Sequence, residues 1–113
     1  MKVVLLGGLG RDTAARLRKV GHEVEECQPE GSHAWPFLYA AEAVILQAPA
    51  GRVDALAFGW ACGAKKITAI LCPEDDPLGH PFPAFARLAL ADLTTTDLDG
   101  VLELLAVAPE IPS

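Results

Sequence analysis

Basic charge is what this sequence has least of. Nine Lys and Arg face fifteen Asp and Glu, for a formal net charge of −6. Such a balance repels a phosphate backbone unless a local patch offsets it, and only Arg11, Arg16, Arg18 and Lys19 cluster. Nucleic acid is therefore not an expected partner. Also missing are apolar runs of the roughly 18 to 20 residues needed to cross a bilayer. Met1-Lys2 leads through Val3-Val4-Leu5-Leu6 straight into glycines, too short for the apolar core of a signal sequence. The expectation is a cytoplasmic protein with no membrane partner. Cys27, Cys62 and Cys72 include no Cys-x-x-Cys pair, which argues against a disulfide frame or a zinc site and for reduced thiols in or near the core. His22, His33 and His80 are scattered on expected loops and strand edges without ligand-spaced partners, so each reads as solvated, with no metal and no cofactor. No acidic pair follows the first strand, no aspartate ends the third, and no nucleophile elbow appears. A phospho-accepting receiver and elbow-based catalysis are disfavoured.

What is present is a folded, apolar chain. Hydrophobic residues make up 51% of 113, uninterrupted by any long polar tract, which fits one domain over residues 1–108 and an irregular tail at 109–113. Residues 2–6 read as a buried strand ending at Gly7-Gly8-Leu9-Gly10. Ala14, Ala15, Leu17 and Val20 recur at helical spacing over 11–20, opened by Asp12 or Thr13 and capped at Gly21. Residues 22–27 set Val24 between charges, as on an edge strand. Pro36 suits the first turn of a short helix over 35–41. Residues 43–48 form a continuous apolar run stopped by Pro49, as in a central parallel strand. A third helix over 53–63 and a buried strand over 66–72 follow.

Four prolines with Glu74, Asp75 and Asp76 make 73–83 a loop placed as a lid. A short helix at 84–90, a short strand at 91–94 and a capping box at Thr96-Asp97-Leu98-Asp99 before a final helix complete the pattern. The alternation predicts a three-layer α/β sandwich with a five-stranded parallel sheet, right-handed crossovers and the flavodoxin- or Rossmann-like order 2-1-3-4-5.

In such a sheet ligands bind at the carboxyl ends of the strands, beside the switch point between the first and third. Two turns flank that crevice. Gly7-Gly8-Leu9-Gly10-Arg11 offers unobstructed backbone amides next to a helix N-terminus, and Gly51-Arg52 opens the third helix, where a positive helix end and a guanidinium share one anion. Gly8, Gly10, Arg11, Gly51 and Arg52 are thus the candidate ligand-binding residues, for a nucleotide, nucleoside or sugar phosphate. A dinucleotide fingerprint would need a third glycine where Thr13 stands. Gly59 and Gly63, interleaved with Ala55, Ala57 and Ala61, allow close backbone approach inside the sandwich or across a dimer. Phe58 and Trp60 read as core or interface aromatics.

The segment Pro49-Ala50-Gly51-Arg52, followed by Gly59-Trp60-Ala61 and Gly63-Ala64-Lys65-Lys66, resembles the active-site motif of the nucleoside 2-deoxyribosyltransferase superfamily. The specific part of the resemblance runs from about Glu42 to Cys72, and Glu42 stands where that family has an acidic residue opening its third strand. Ala57 occupies the place of the nucleophilic glutamate, and Val53 that of a serine found in some relatives. The resemblance therefore implies a scaffold without its chemistry, because glycosyl transfer of this kind needs a carboxylate nucleophile and a second acid or base. Three functions follow as expectations. The first is a catalytically silent, homodimeric or higher-order module binding a nucleotide or nucleoside. The second is an active N-glycosidase or deoxyribosyltransferase using Asp54 or Glu42. The third is a protein-interaction module without ligand.

Overall fold

A computed structural model describes residues 1–7, 12–27, 35–47, 52–71, 91–95 and 97–107. The expected loop at 73–83, the helix at 84–90 and the tail at 109–113 lie outside the described residues.

The elements alternate as β1 (Lys2–Gly7), α1 (Thr13–Lys19), β2 (Glu23–Cys27), α2 (Trp35–Ala40), β3 (Ala43–Gln47), α3 (Arg52–Gly63) and β4 (Ile67–Leu71). They make an α/β fold whose sheet is parallel, in the order 2-1-3-4, with Val4 opposite Val44 and Val44 opposite Thr68. The three-residue strand β5 (Leu93–Thr95) runs parallel beside β4, and α4 (Leu98–Val107) follows it. The side-chain period of two divides β1 and β3 between two cores. Val4, Leu6, Val44 and Leu46 pack with Leu38 of α2 and with Ala57, Phe58 and Ala61 of α3. Val3, Leu5, Ala43 and Ile45 pack with Ala14 and Leu17 of α1 and with Val101 and Leu105 of α4. Both faces of the central strands are covered, which is why β3 reads as an unbroken apolar run.

Helix ends follow local chemistry. Gly21, at φ +100°, closes α1 while His22 N–H bonds Leu17 O and Gly21 N–H bonds Arg18 O, a Schellman motif that needs a left-handed residue. Lys65 does the same for α3 at φ +61°, with Lys66 N–H on Ala61 O and Lys65 N–H on Cys62 O. At the start of α4, Thr96 of the expected box lies outside the described residues. Asp97 Oδ1 accepts from Asp99 N–H at 2.9 Å, so Asp97 is the capping side chain, and Thr95 Oγ1 accepts from Asp97 N–H at 3.0 Å. Asp12 precedes α1 without a side-chain cap.

One packing expectation is corrected. A Cβ added at Gly59 or Gly63 would meet no described atom within 4 Å, so these glycines do not serve close approach to the described part of the sandwich. The reason is rotational: Ala57, Phe58 and Ala61 form the sheet-facing stripe of α3, and the glycines fall off it.

Candidate functional site

Parallel strands put all their carboxyl ends on one edge of the sheet. Gly7, Gln47 and Leu71 align there across β1, β3 and β4. Gln47 is the polar residue in an otherwise apolar strand and is 2% exposed. Its Oε1 accepts a 2.8 Å hydrogen bond from Thr13 Oγ1, and its Nε2 donates to Gly7 O at 3.3 Å. Thr13 is buried as well. One side chain thereby ties the end of β1 to the start of α1, the two anchors of the glycine turn, and Gly7 itself takes a left-handed φ of +72°. The inward polar groups are satisfied by one another, as burial requires.

The expected site residues distribute unevenly around this edge. Gly8, Gly10, Arg11 and Gly51 lie outside the described residues, and so does the side chain of Arg52, whose backbone begins α3. Asp54 is half-buried in the first turn of α3, on the edge the crevice was expected to occupy. Glu42 is not there. It directly precedes β3, at the amino end of the sheet, where its carboxylate accepts from Lys2 N–H at 3.2 Å and its backbone joins β1 to β4. Five strand residues at about 3.3 Å each separate it from the carboxyl edge. Glu42 thus lies away from that crevice, because a residue opening a parallel strand and a residue following one sit at opposite edges.

Ala57, where the resemblance would put a nucleophile, is fully buried among Val44, Leu46, Phe58 and Ile70. It is a packing residue, and an ionised carboxylate there would be desolvated without a partner.

Sequence reasoning missed Gln47 and Thr13. The available signal was a lone amide at the last position of an apolar central strand, where a polar group needs an internal partner. That the partner is Thr13 follows only from the fold.

The remaining groups have structural explanations. Lys66 Nζ donates to Tyr39 O at 3.0 Å and Ala41 O at 2.7 Å, and lies 5.6 Å from the Trp60 ring centroid. It fastens the end of α2 to α3, together with an edge-to-face contact between Tyr39 and Trp60. Phe58 is core and Trp60 half-buried. Arg16 pairs with Asp99, and Arg18 donates to Val24 O, so two cations of the basic cluster are engaged. His22 is half-buried rather than solvated, 3.1 Å from the Met1 amine. Its pKa is lowered by desolvation and by that ammonium, against the raising influence of Glu42. Burial pushes the Cys62 thiol up, opposed by a hydrogen bond to Thr68 and reinforced by Asp92. His33, His80 and Cys72 lie outside the described residues, as does the side chain of Cys27. Among the described residues no three His, Cys, Asp or Glu side chains converge in metal-binding geometry, and no helix is long and apolar enough to cross a membrane.

Comparison of the chain with family models, with curated proteins and with solved structures returned no significant match.

Proposed function

We propose that this chain is a catalytically silent domain of the nucleoside 2-deoxyribosyltransferase type, binding a nucleotide, nucleoside or sugar phosphate at the carboxyl edge of its sheet. In this reading β5 counts as a full fifth strand of a flavodoxin-like sandwich. The observation that carries the proposal is the Thr13–Gln47–Gly7 tie, which holds both anchors of the glycine turn beside a helix start while Ala57 fills the nucleophile position with packing. Backbone amides, the first turn of α3 and Arg11 and Arg52 supply the anion recognition. Thermal shift against a panel of nucleotides, nucleosides and sugar phosphates tests it. Stabilisation by at least one phosphate-bearing compound is expected, and no response to any of them at millimolar concentration rejects the reading.

A second reading is favoured by one observation, the half-buried Asp54 in the first turn of α3. There Asp54 serves as the nucleophile of an N-glycosidase. Incubation with deoxynucleosides and their monophosphates, with Asp54→Ala as control, separates the two readings: release of base that the substitution abolishes selects the enzyme.

The domain is also taken as a homo-oligomer through the outer side of α3. Leu56 is 72% exposed there, and the space over Gly59 and Gly63 is open to the described residues. A Gly59→Leu variant that folds and keeps its mass by light scattering argues against this arrangement.

A further inference from the structure

A cavity of about 380 Å³ lies between α2 and the outer half of the sheet, lined among others by Lys2, Val4, Glu23, Glu25, Phe37 and Ala41. Its size falls within the ordinary range for small-ligand sites. It is separate from the carboxyl edge. The register explains its chemistry: Lys2 stands opposite Glu23, and Val4 opposite Glu25, so these four share one face of the β1–β2 pair. The opposite wall is apolar, with Phe37 44% exposed. The side chains of Lys2, Glu23 and Glu25 make no ion pair or hydrogen bond with any described side chain.

The spacing of these charges is informative. Lys2 and Glu23 are cross-strand neighbours about 4.8 Å apart, and Glu25 lies two residues further along, about 7 Å from Glu23. One cation beside one anion, with a second anion one extended chain length away over an apolar wall, is the complement of an amino acid with a basic side chain. We propose that this cavity binds a free dibasic amino acid of the lysine class. Its α-carboxylate meets Lys2, its α-ammonium meets Glu23, its side-chain cation meets Glu25, and its methylenes lie against Phe37, Val4 and Ala41. The ligand's net charge of +1 cancels the −1 of the three lining groups. A diamine would leave Lys2 facing ammonium groups, and a neutral amino acid would leave Glu25 unmatched. An added peptide strand is disfavoured by Arg18, whose guanidinium already occupies Val24 O on this edge strand at 2.9 Å.

The test is a titration followed by amide NMR at low ionic strength, where exposed charge pairs are least screened. L-lysine, cadaverine and L-norleucine are the probes. Saturable binding of lysine is expected, with shifts at Lys2, Val4, Glu23, Glu25 and Phe37, and with each of the other two probes weaker by about 3-fold or more, the scale of one exposed ion pair. Glu25→Gln brings lysine down to the level of norleucine, and Lys2→Met removes its advantage over cadaverine. Phe37→Ala weakens all three. Equal binding of lysine and cadaverine to the unaltered protein overturns the proposal, since that is general attraction to a chain of net charge −6. So does a failure of lysine to saturate, or discrimination that survives Glu25→Gln. These substitutions are at exposed positions, and the amide spectrum of each variant checks that it is folded. Glu25→Gln decides the matter even if Lys2→Met does not fold.

Discussion

At the carboxyl edge of the sheet Gln47 is buried and hydrogen-bonded between Thr13 and Gly7, whereas at the amino edge Glu42, Lys2 and Glu23 are exposed. The difference is one of consequence. A buried hydrogen-bonded amide fixes the separation of the segments it joins, and removing it strands its partners. An exposed carboxylate such as Glu42 returns to water when its contact is broken. Among the described residues the carboxyl edge is therefore held by a buried tie, and the exposed charges of the amino edge can be changed at small energetic cost.

Substitutions can break this contrast, and the largest effect is expected just beneath the tied edge. Ala57→Glu introduces the acidic side chain of the resembled family but places it in the apolar core. We expect a loss of about 3 to 5 kcal/mol in denaturant unfolding, the scale of an uncompensated buried charge. Burial raises the folded-state pKa of that carboxylate, so the deficit relative to the parent is greater at neutral pH than in mild acid. A variant of parental stability would mean that α3 presents position 57 to a cleft.

Gln47→Leu should cost about 1 to 3 kcal/mol, because the Thr13 hydroxyl and Gly7 carbonyl lose their partner in a buried site. Adding Thr13→Val should recover part of that loss, which a double-mutant cycle reads as coupling. Additive losses would show that the two side chains act independently. Glu42→Gln, at the opposite edge, should cost less than about 1 kcal/mol, since an exposed amide oxygen still accepts from Lys2 N–H. A larger loss than that of Gln47→Leu would invert the comparison.

The smallest effect concerns pH. The pKa of His22 is depressed in the folded state, so the unfolded chain binds the proton more readily. Its contribution favours folding above the unfolded value near 6.5 and is lost as pH falls through the folded value. His22→Gln should slightly flatten the decline of melting temperature in that window, and an unchanged profile would remove His22 from the account.

The strands were legible because burial on both faces leaves an apolar run that polar residues rarely interrupt, as in Val44-Ile45-Leu46. Gly21 was legible as a cap because a left-handed residue is needed where α1 ends. The edge position of β2 was legible from the charges on either side of Val24. The site was harder to read. Gln47 and Thr13 are 34 residues apart, and no local pattern announces a pair made by tertiary folding. Glu42 was correctly placed at the opening of a strand, but strand direction puts it at the edge opposite the expected crevice. The small residues of α3 fit close packing and a lost active site equally well as letters. Helix rotation separates them, turning Ala57 and Ala61 to the core and the glycines away.

Titration of the isotope-labelled protein with a deoxynucleoside 5′-monophosphate, followed by amide NMR, is the most direct test of a ligand-binding, catalytically silent carboxyl edge. Saturable shifts are expected at Gly7, Thr13, Gln47 and the first turn of α3, with the nucleotide intact at the end. No shift at these amides at millimolar ligand, or the appearance of free base, would contradict it.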